Sequence, residues 1–223
     1  MPKTSPFLKN SDISTIGILG GTFNPPHLGH LRLAEEAAYV HELSRVILIP
    51  SLIPPHKCSP DIASPSHRLE MTRRACEANP LLEVSDMEIR MEGPSYTVNT
   101  LKMLRGQHLK ISFIMGTDSL REISIWKDYE ELFSLSDFII VKRPGMGFET
   151  AWTAIPEAVR KKFRQDGDTL IHESNTAVWA SGVEGLNISS TRIRSLLKQG
   201  KSIRYLVPES VREYIIQHRL YGN

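Results

Sequence analysis

The chain has 223 residues, 40% of them hydrophobic and 23% charged, which suits one soluble globular domain or one core with a small appendage. Lys and Arg number 27 against 25 Asp and Glu, a net charge of +2, which is too small to point to a nucleic-acid or membrane partner. An anionic ligand would therefore be held by locally placed cations. No apolar run reaches membrane-spanning length, and Cys58 and Cys76 lack metal-site spacing, so two reduced thiols in a cytoplasmic protein are expected.

Met1 to Asp12 is polar and has no signal-peptide core, so residues 1–14 read as a flexible extension and 15–223 as a single domain. Thr15 to Leu19 is a short apolar run ending at Gly20-Gly21, the pattern of a buried strand entering a tight turn. Leu28 to Leu43 follows as a helix, with Leu31, Ala34 and Ala38 on one face. Arg45 to Ile49 is a second strand, stopped by Pro50. This strand–turn–helix–strand unit is the start of a parallel α/β sheet.

Ser51 to Pro65, rich in Pro and Ser, reads as a loop carrying Pro54-Pro55-His56-Lys57. A helix is expected from about Ser66 to Asn79, a third strand at Leu82 to Val84, and a turn at Gly93-Pro94-Ser95. Thr97 to Leu104 reads as a helix with Thr97 or Ser95 as cap. Ile111 to Met115 and Phe138 to Val141 have the form of buried parallel strands, ending in Gly116-Thr117-Asp118 and in Lys142-Arg143-Pro144-Gly145. Gly145 to Gly185 is the least legible stretch: Pro156 to Phe163 reads as a helix, and Thr169 to His172 and Ala177 to Ala180 as strands. Thr191 to Leu197 and Pro208 to His218 read as terminal helices. The sum is an α/β fold: a Rossmann-like open parallel sheet with helices on both faces and a small C-terminal helical part at about 188–223. Ligands of such sheets bind at the C-terminal ends of the strands.

The segment Gly20-Gly21-Thr22-Phe23-Asn24-Pro25-Pro26-His27-Leu28-Gly29-His30 carries the chemistry. Two glycines let backbone pass close to a ligand, and the helix that begins immediately afterwards turns its N–H groups and positive dipole end toward the turn. His27 and His30, three apart, share a face, and Gly29 between them leaves room for a phosphate. Two imidazole donors aimed at one anion suit phosphoryl or nucleotidyl transfer, in which the protein chiefly positions reactants and stabilises charge. The competing readings are a plain double-glycine turn and a two-histidine metal site, which would want a third ligand.

This segment resembles the H-x-G-H signature of the nucleotidyltransferase superfamily, shared with class I aminoacyl-tRNA synthetases. A second signature of that superfamily is matched by Ile188-Ser189-Ser190-Thr191-Arg192-Ile193-Arg194, in the expected order. Its hydroxyls can cap a helix whose N-terminus holds the ATP phosphates, with Arg194 one turn on as a cation. Four more segments resemble bacterial nicotinate-nucleotide adenylyltransferases: Pro54-Pro55-His56-Lys57, Pro94-Ser95-Tyr96-Thr97, Gly116-Thr117-Asp118-Ser119 with Trp126 downstream, and Arg143-Pro144-Gly145. The resemblance runs from about Ile16 to His218 and is weakest across Gly147 to Gly185.

The resemblance implies transfer of AMP from ATP to nicotinate mononucleotide, giving nicotinate adenine dinucleotide and pyrophosphate. It implies His27, His30 and Lys57 as catalytic residues. ATP would meet Gly20, Gly21, Thr22, Phe23, His27, His30, Gly116, Asp118, Arg143, Ser189, Ser190 and Arg194. Nicotinate mononucleotide would meet Asn24, Lys57, Tyr96, Thr97 and Trp126. Mg²⁺ would come with ATP, held by its phosphates and water, with no protein metal ligand. Many relatives carry Asp where this chain has Asn24, a position expected to support the turn in either form. The rivals are an enzyme preferring the amide nicotinamide mononucleotide, a phosphopantetheine adenylyltransferase or a cytidylyltransferase, and a non-catalytic nucleotide sensor. No nucleic-acid or membrane partner is expected, and a homo-oligomer stays open.

Overall fold

A computed structural model describes residues 15–55, 61–105, 110–142, 152–184 and 186–222. Its first half alternates strand and helix: β1 (Thr15–Gly21), α1 (Leu28–Val40), β2 (Arg45–Pro50), α2 (Pro65–Cys76), β3 (Leu82–Val84), α3 (Met87–Arg90), α4 (Thr97–Arg105) and β4 (Lys110–Gly116). The second half continues with α5 (Thr117–Arg121), α6 (Tyr129–Leu135), β5 (Asp137–Lys142), α7 (Glu157–Arg160), β6 (Phe163–Asp166), β7 (Thr169–His172), β8 (Ala177–Glu184), α8 (Ser190–Lys198) and α9 (Glu209–Gln217). Among the described residues no helix is long and apolar enough to cross a membrane.

The strands form one sheet in the order β3-β2-β1-β4-β5-β8-β7-β6. From β3 to β8 every neighbouring pair is parallel. The two-residue periodicity of the strands sorts their side chains onto two faces. Leu19, Val46, Leu48, Ile114 and Ile139 pack with Ala34, Ala37 and Ala38 of α1. Ile16, Ile18, Phe113, Met115, Phe138 and Ile140 pack on the other face with Val98, Leu101 and Leu104 of α4 and Leu132 and Phe133 of α6. Both faces are covered, which is why these strands are apolar throughout rather than alternating. A third cluster joins Met71 and Ala75 of α2 to Ile193 and Leu197 of α8 and Val211, Tyr214 and Ile215 of α9. The C-terminal helices are thereby seated beside α2.

The sheet departs from the expected pattern at its far edge. β7 runs antiparallel to both β8 and β6. Residues 163–166 pair as a strand, so Phe163 opens a strand instead of closing a helix, because Gly167, at φ 58, and Asp168 form a two-residue hairpin connection. Phe163 is then held edge-on against Phe133 and His172, and the helix expected over 156–163 shrinks to α7. α1 stops at Val40 rather than Leu43. Glu42 adopts the left-handed region at φ 49, and the Leu43 N–H returns to the Ala38 carbonyl, a C-terminal cap that leaves Leu43 buried outside the helix. The short helices α3, α5 and α6 were not legible, being too brief to show a period.

Candidate active site

The strand order reverses between β1 and β4: β2 and β3 lie on one side of β1, and β4, β5 and β8 on the other. The crevice at such a reversal, at the C-terminal strand ends, is where open α/β sheets take ligands. The histidine turn leaves β1 there, and Gly116-Thr117-Asp118 leaves β4 beside it. Gly116 is the N-cap of α5, so Asp118, exposed in that helix's first turn, is not the cap. The Phe113 ring joins the two edges: it lies 3.6 Å from where a Cβ on Gly20 would stand and meets Trp126 edge-on at 6.4 Å.

The two imidazoles stand together. His27 is the N-cap of α1 and His30 the third helical residue, and their rings stack at 3.6 Å with an interplanar angle of 23°. His30 Nδ1 accepts a hydrogen bond from the His27 backbone N–H at 3.2 Å. An acceptor Nδ1 leaves the proton of the neutral ring on Nε2, so His30 presents a fixed donor. Phe23, buried and held at φ 48, sets its ring against His30 at 5.0 Å. Gly29 has a use that its spacing does not show. A Cβ there would stand 3.0 Å from His27 Nδ1, so the absent side chain makes room for the imidazole.

Burial pushes the His27 pKa down from its ordinary value to about 4, so the ring is neutral at physiological pH. The stacked rings are therefore not two cations in contact. The native state binds fewer protons than the unfolded chain between pH 4 and 6.5. Stability from this group is complete above the unfolded value of about 6.5 and is lost as pH falls toward 4, by roughly 3 kcal/mol. Urea unfolding at pH 7, 5.5 and 4.5 should show this decline, and His27→Gln should flatten it.

The turn before the histidines is held from three sides. Asn24 is 3% exposed; its Nδ2 donates to the Asp61 carbonyl at 3.0 Å, and its Oδ1 accepts from the Ala63 N–H at 3.0 Å. Both partners are backbone groups of fixed polarity, so the amide orientation is determined. An aspartate here would face the Asp61 carbonyl with a second acceptor, which accounts for Asn in this chain. The second signature grips the same turn: Ser190 Oγ donates to the Pro25 carbonyl at 2.8 Å, and Arg194 Nη1 to the Asn24 carbonyl at 2.9 Å. Ser189 caps α8 by accepting from the Arg192 N–H. Lys198 of α8 pairs with Asp61 at 2.7 Å. The two signatures, far apart in sequence, thus form one body.

Sequence reasoning missed Arg68. This α2 residue is 1% exposed, and its guanidinium donates to the carbonyls of Ala63 at 3.0 Å, Thr22 at 2.9 Å and Leu52 at 2.9 Å. Thr22 follows β1, Leu52 follows β2, and Ala63 precedes α2, so one side chain fixes the relative places of three segments at the strand ends. Arg68 resembles its α2 neighbours Arg73 and Arg74 in sequence, and nothing local marks it.

The Pro94-to-Thr97 segment is tied to the segment after β2. Ser95 Oγ accepts from the Leu52 N–H at 2.8 Å, and the Ser95 N–H donates to the Ile53 carbonyl at 2.9 Å. Ser95 therefore does not cap α4, which begins at Thr97. Tyr96 is half-buried with Lys127 Nζ 4.8 Å from its ring centre, and Trp126 is half-buried against the same core. Lys57 and Arg143 lie outside the described residues, as do the extension 1–14 and Cys58. Cys76 is a buried free thiol. An open cleft of about 670 Å³ runs along α2 and β3, lined by residues such as Arg73, Arg74 and Asn79, and contains none of the predicted site residues.

A profile described as cytidylyltransferase-like matches residues 18–196, a span containing both signatures. A probable nicotinate-nucleotide adenylyltransferase of Geobacter sp. (strain M21) is 45% identical over 210 residues, covering 92% of this chain and 97% of that protein. The chain belongs to the nicotinate-nucleotide adenylyltransferase family. A second member, from Desulfatibacillum aliphaticivorans, is 42% identical over 214 residues, covering 92% of this chain and 99% of the relative. The family fold is seen in the solved Plasmodium falciparum nicotinic acid mononucleotide adenylyltransferase complexed with NaAD. That structure matches with a TM-score of 0.71 at 20% identity, over 93% of this chain and 97% of its own, a likeness of fold alone.

Proposed function

We propose that this chain transfers the AMP part of ATP to nicotinate mononucleotide, giving nicotinate adenine dinucleotide and pyrophosphate. The observation that carries the reading is the joining of the two signatures at the sheet's reversal point, through Ser190 and Arg194 on the carbonyls of the histidine turn. Membership of the family supplies the substrate pair.

The phosphate of nicotinate mononucleotide attacks the α-phosphorus of ATP in line, the bond to the bridging oxygen breaks, and pyrophosphate leaves. That nucleophile is already ionised at neutral pH, so no general base is required. His30, with its Nε2 proton fixed, and neutral His27 donate to the oxygens on which charge grows. The backbone of Gly20 to Phe23 would meet the ATP phosphates with Ser189 at the N-terminus of α8; Arg143 is assigned to ATP as well, and Lys57 to catalysis on the nicotinate mononucleotide side. Gly116 and Asp118 take the adenosine ribose. Tyr96, Thr97 and Trp126 receive the pyridine ring and its carboxylate. Asn24, Ser190 and Arg194 act by holding the turn, since each is bonded to protein. Mg²⁺ bound with ATP would supply charge neutralisation of the phosphates, held by those phosphates and water; among the described residues there is no group of three ligand-type side chains for an ion.

Pyrophosphate release measured with ATP and, separately, nicotinate mononucleotide, its amide and phosphopantetheine tests the reading. Release should be fastest with the acid. Faster release with another acceptor would reassign the substrate, and nucleotide binding without release would make the chain a sensor.

A further inference from the structure

We propose that Tyr221, near the end of the sequence, is a positioning residue for the transfer reaction, acting through Asn24 on the histidine turn. Its hydroxyl donates to Asn24 Oδ1 at 2.8 Å, across a sequence separation of 197 residues. It is the third hydrogen bond to an amide side chain that is itself 3% exposed and sits three residues before His27. Asn24 Oδ1 receives two donors, the Ala63 N–H and the Tyr221 hydroxyl, so removing one leaves that oxygen half-satisfied in a buried place.

Three further features belong to the same device. Tyr221 adopts φ 65, a left-handed conformation uncommon for an aromatic residue, so its backbone is held there against preference. Its ring packs against the cluster formed by α2, α8 and α9, which brings the chain end up to the site from behind. Burial raises the hydroxyl's pKa, despite the nearby Arg194 and Arg68, so it remains a protonated donor through the working pH range. The C-terminal part is thereby more than a scaffold. It supplies Ser190 and Arg194 from α8, and Tyr221 from the residues after α9, to one six-residue turn.

The inference rests on the proposed role of His30, and the test separates the two. Tyr221→Phe removes one oxygen and keeps the packing. We expect kcat to fall about fivefold, the worth of one neutral hydrogen bond, with KM for both substrates within about twofold. Amide hydrogen exchange at residues 22–27 should quicken in the absence of substrate. In a His30→Ala background the same substitution should add no further loss of kcat, because the turn then has no imidazole left to aim. Unchanged kcat, unchanged exchange, or an equal further loss in the His30→Ala background would each overturn the proposal. Near-normal turnover of His30→Ala by itself would instead sink the histidine assignment, whatever the exchange data show.

Discussion

His30→Ala should lower kcat by about 10²- to 10³-fold while leaving KM for ATP within a few-fold, the loss expected when one preorganised donor to a developing oxyanion is removed. The expectation rests on three features of the fold: the Nδ1 bond from the His27 backbone that fixes the Nε2 proton, the stack against His27, and the edge of Phe23 behind the ring. An imidazole so held has little reorganisation to undergo as charge grows on the α-phosphate. The substitution also orphans the His27 N–H, at a cost of about 1 kcal/mol of stability. Single-turnover rates and thermal melts on the same sample separate the two effects. Turnover within tenfold of normal in a folded His30→Ala protein would remove His30 from the mechanism.

Arg68→Met should cost about 3–5 kcal/mol of folding stability, a large share of the 5–15 kcal/mol typical of a domain. Methionine fills much of the volume but donates to none of the three carbonyls. The carbonyls of Thr22, Leu52 and Ala63 would lose their donor together, and each is an acceptor near the covered strand ends. Arg68→Lys keeps the charge but replaces a planar fork with a single ammonium that cannot reach three divergent oxygens, so it should recover only part of the loss. Guanidinium chloride unfolding at pH 7 measures both, with the m value checked for constancy. A loss under 1 kcal/mol for Arg68→Met would mean that water replaces the guanidinium at these carbonyls. Activity should fall with stability here, because Thr22 lies in the same turn as the histidines.

The parts of this protein legible in the sequence are those with short-range signals. Thr15 to Leu19, Arg45 to Ile49, Ile111 to Met115 and Phe138 to Val141 are largely apolar runs ended by glycine, proline or charge, and they become β1, β2, β4 and β5. The histidine turn was legible because Gly20-Gly21, the prolines and the paired histidines all fall within one turn. The helix expected over Pro156 to Phe163 stops at Arg160, and Phe163 opens a strand instead, because its pairing depends on a hairpin and on Phe133, thirty residues earlier in the chain. At Gly29 the fold adds a reason that spacing does not show: a side chain there would crowd the His27 ring.

The amino-acid order alone determined which strands are buried on both faces, where the chain turns at the sheet's C-terminal edge, and that two signatures occur in sequence. Those are consequences of side-chain period and turn chemistry, which act over a few residues. Only the tertiary structure decided that Arg68 is an internal brace, that Ser190 and Arg194 hold the turn, and that Tyr221 closes on Asn24. Each of these side chains bonds a partner distant in sequence, and most of those partners are main-chain carbonyls. Every residue carries such a carbonyl, so no residue type announces it; the fold alone brings one particular oxygen within reach.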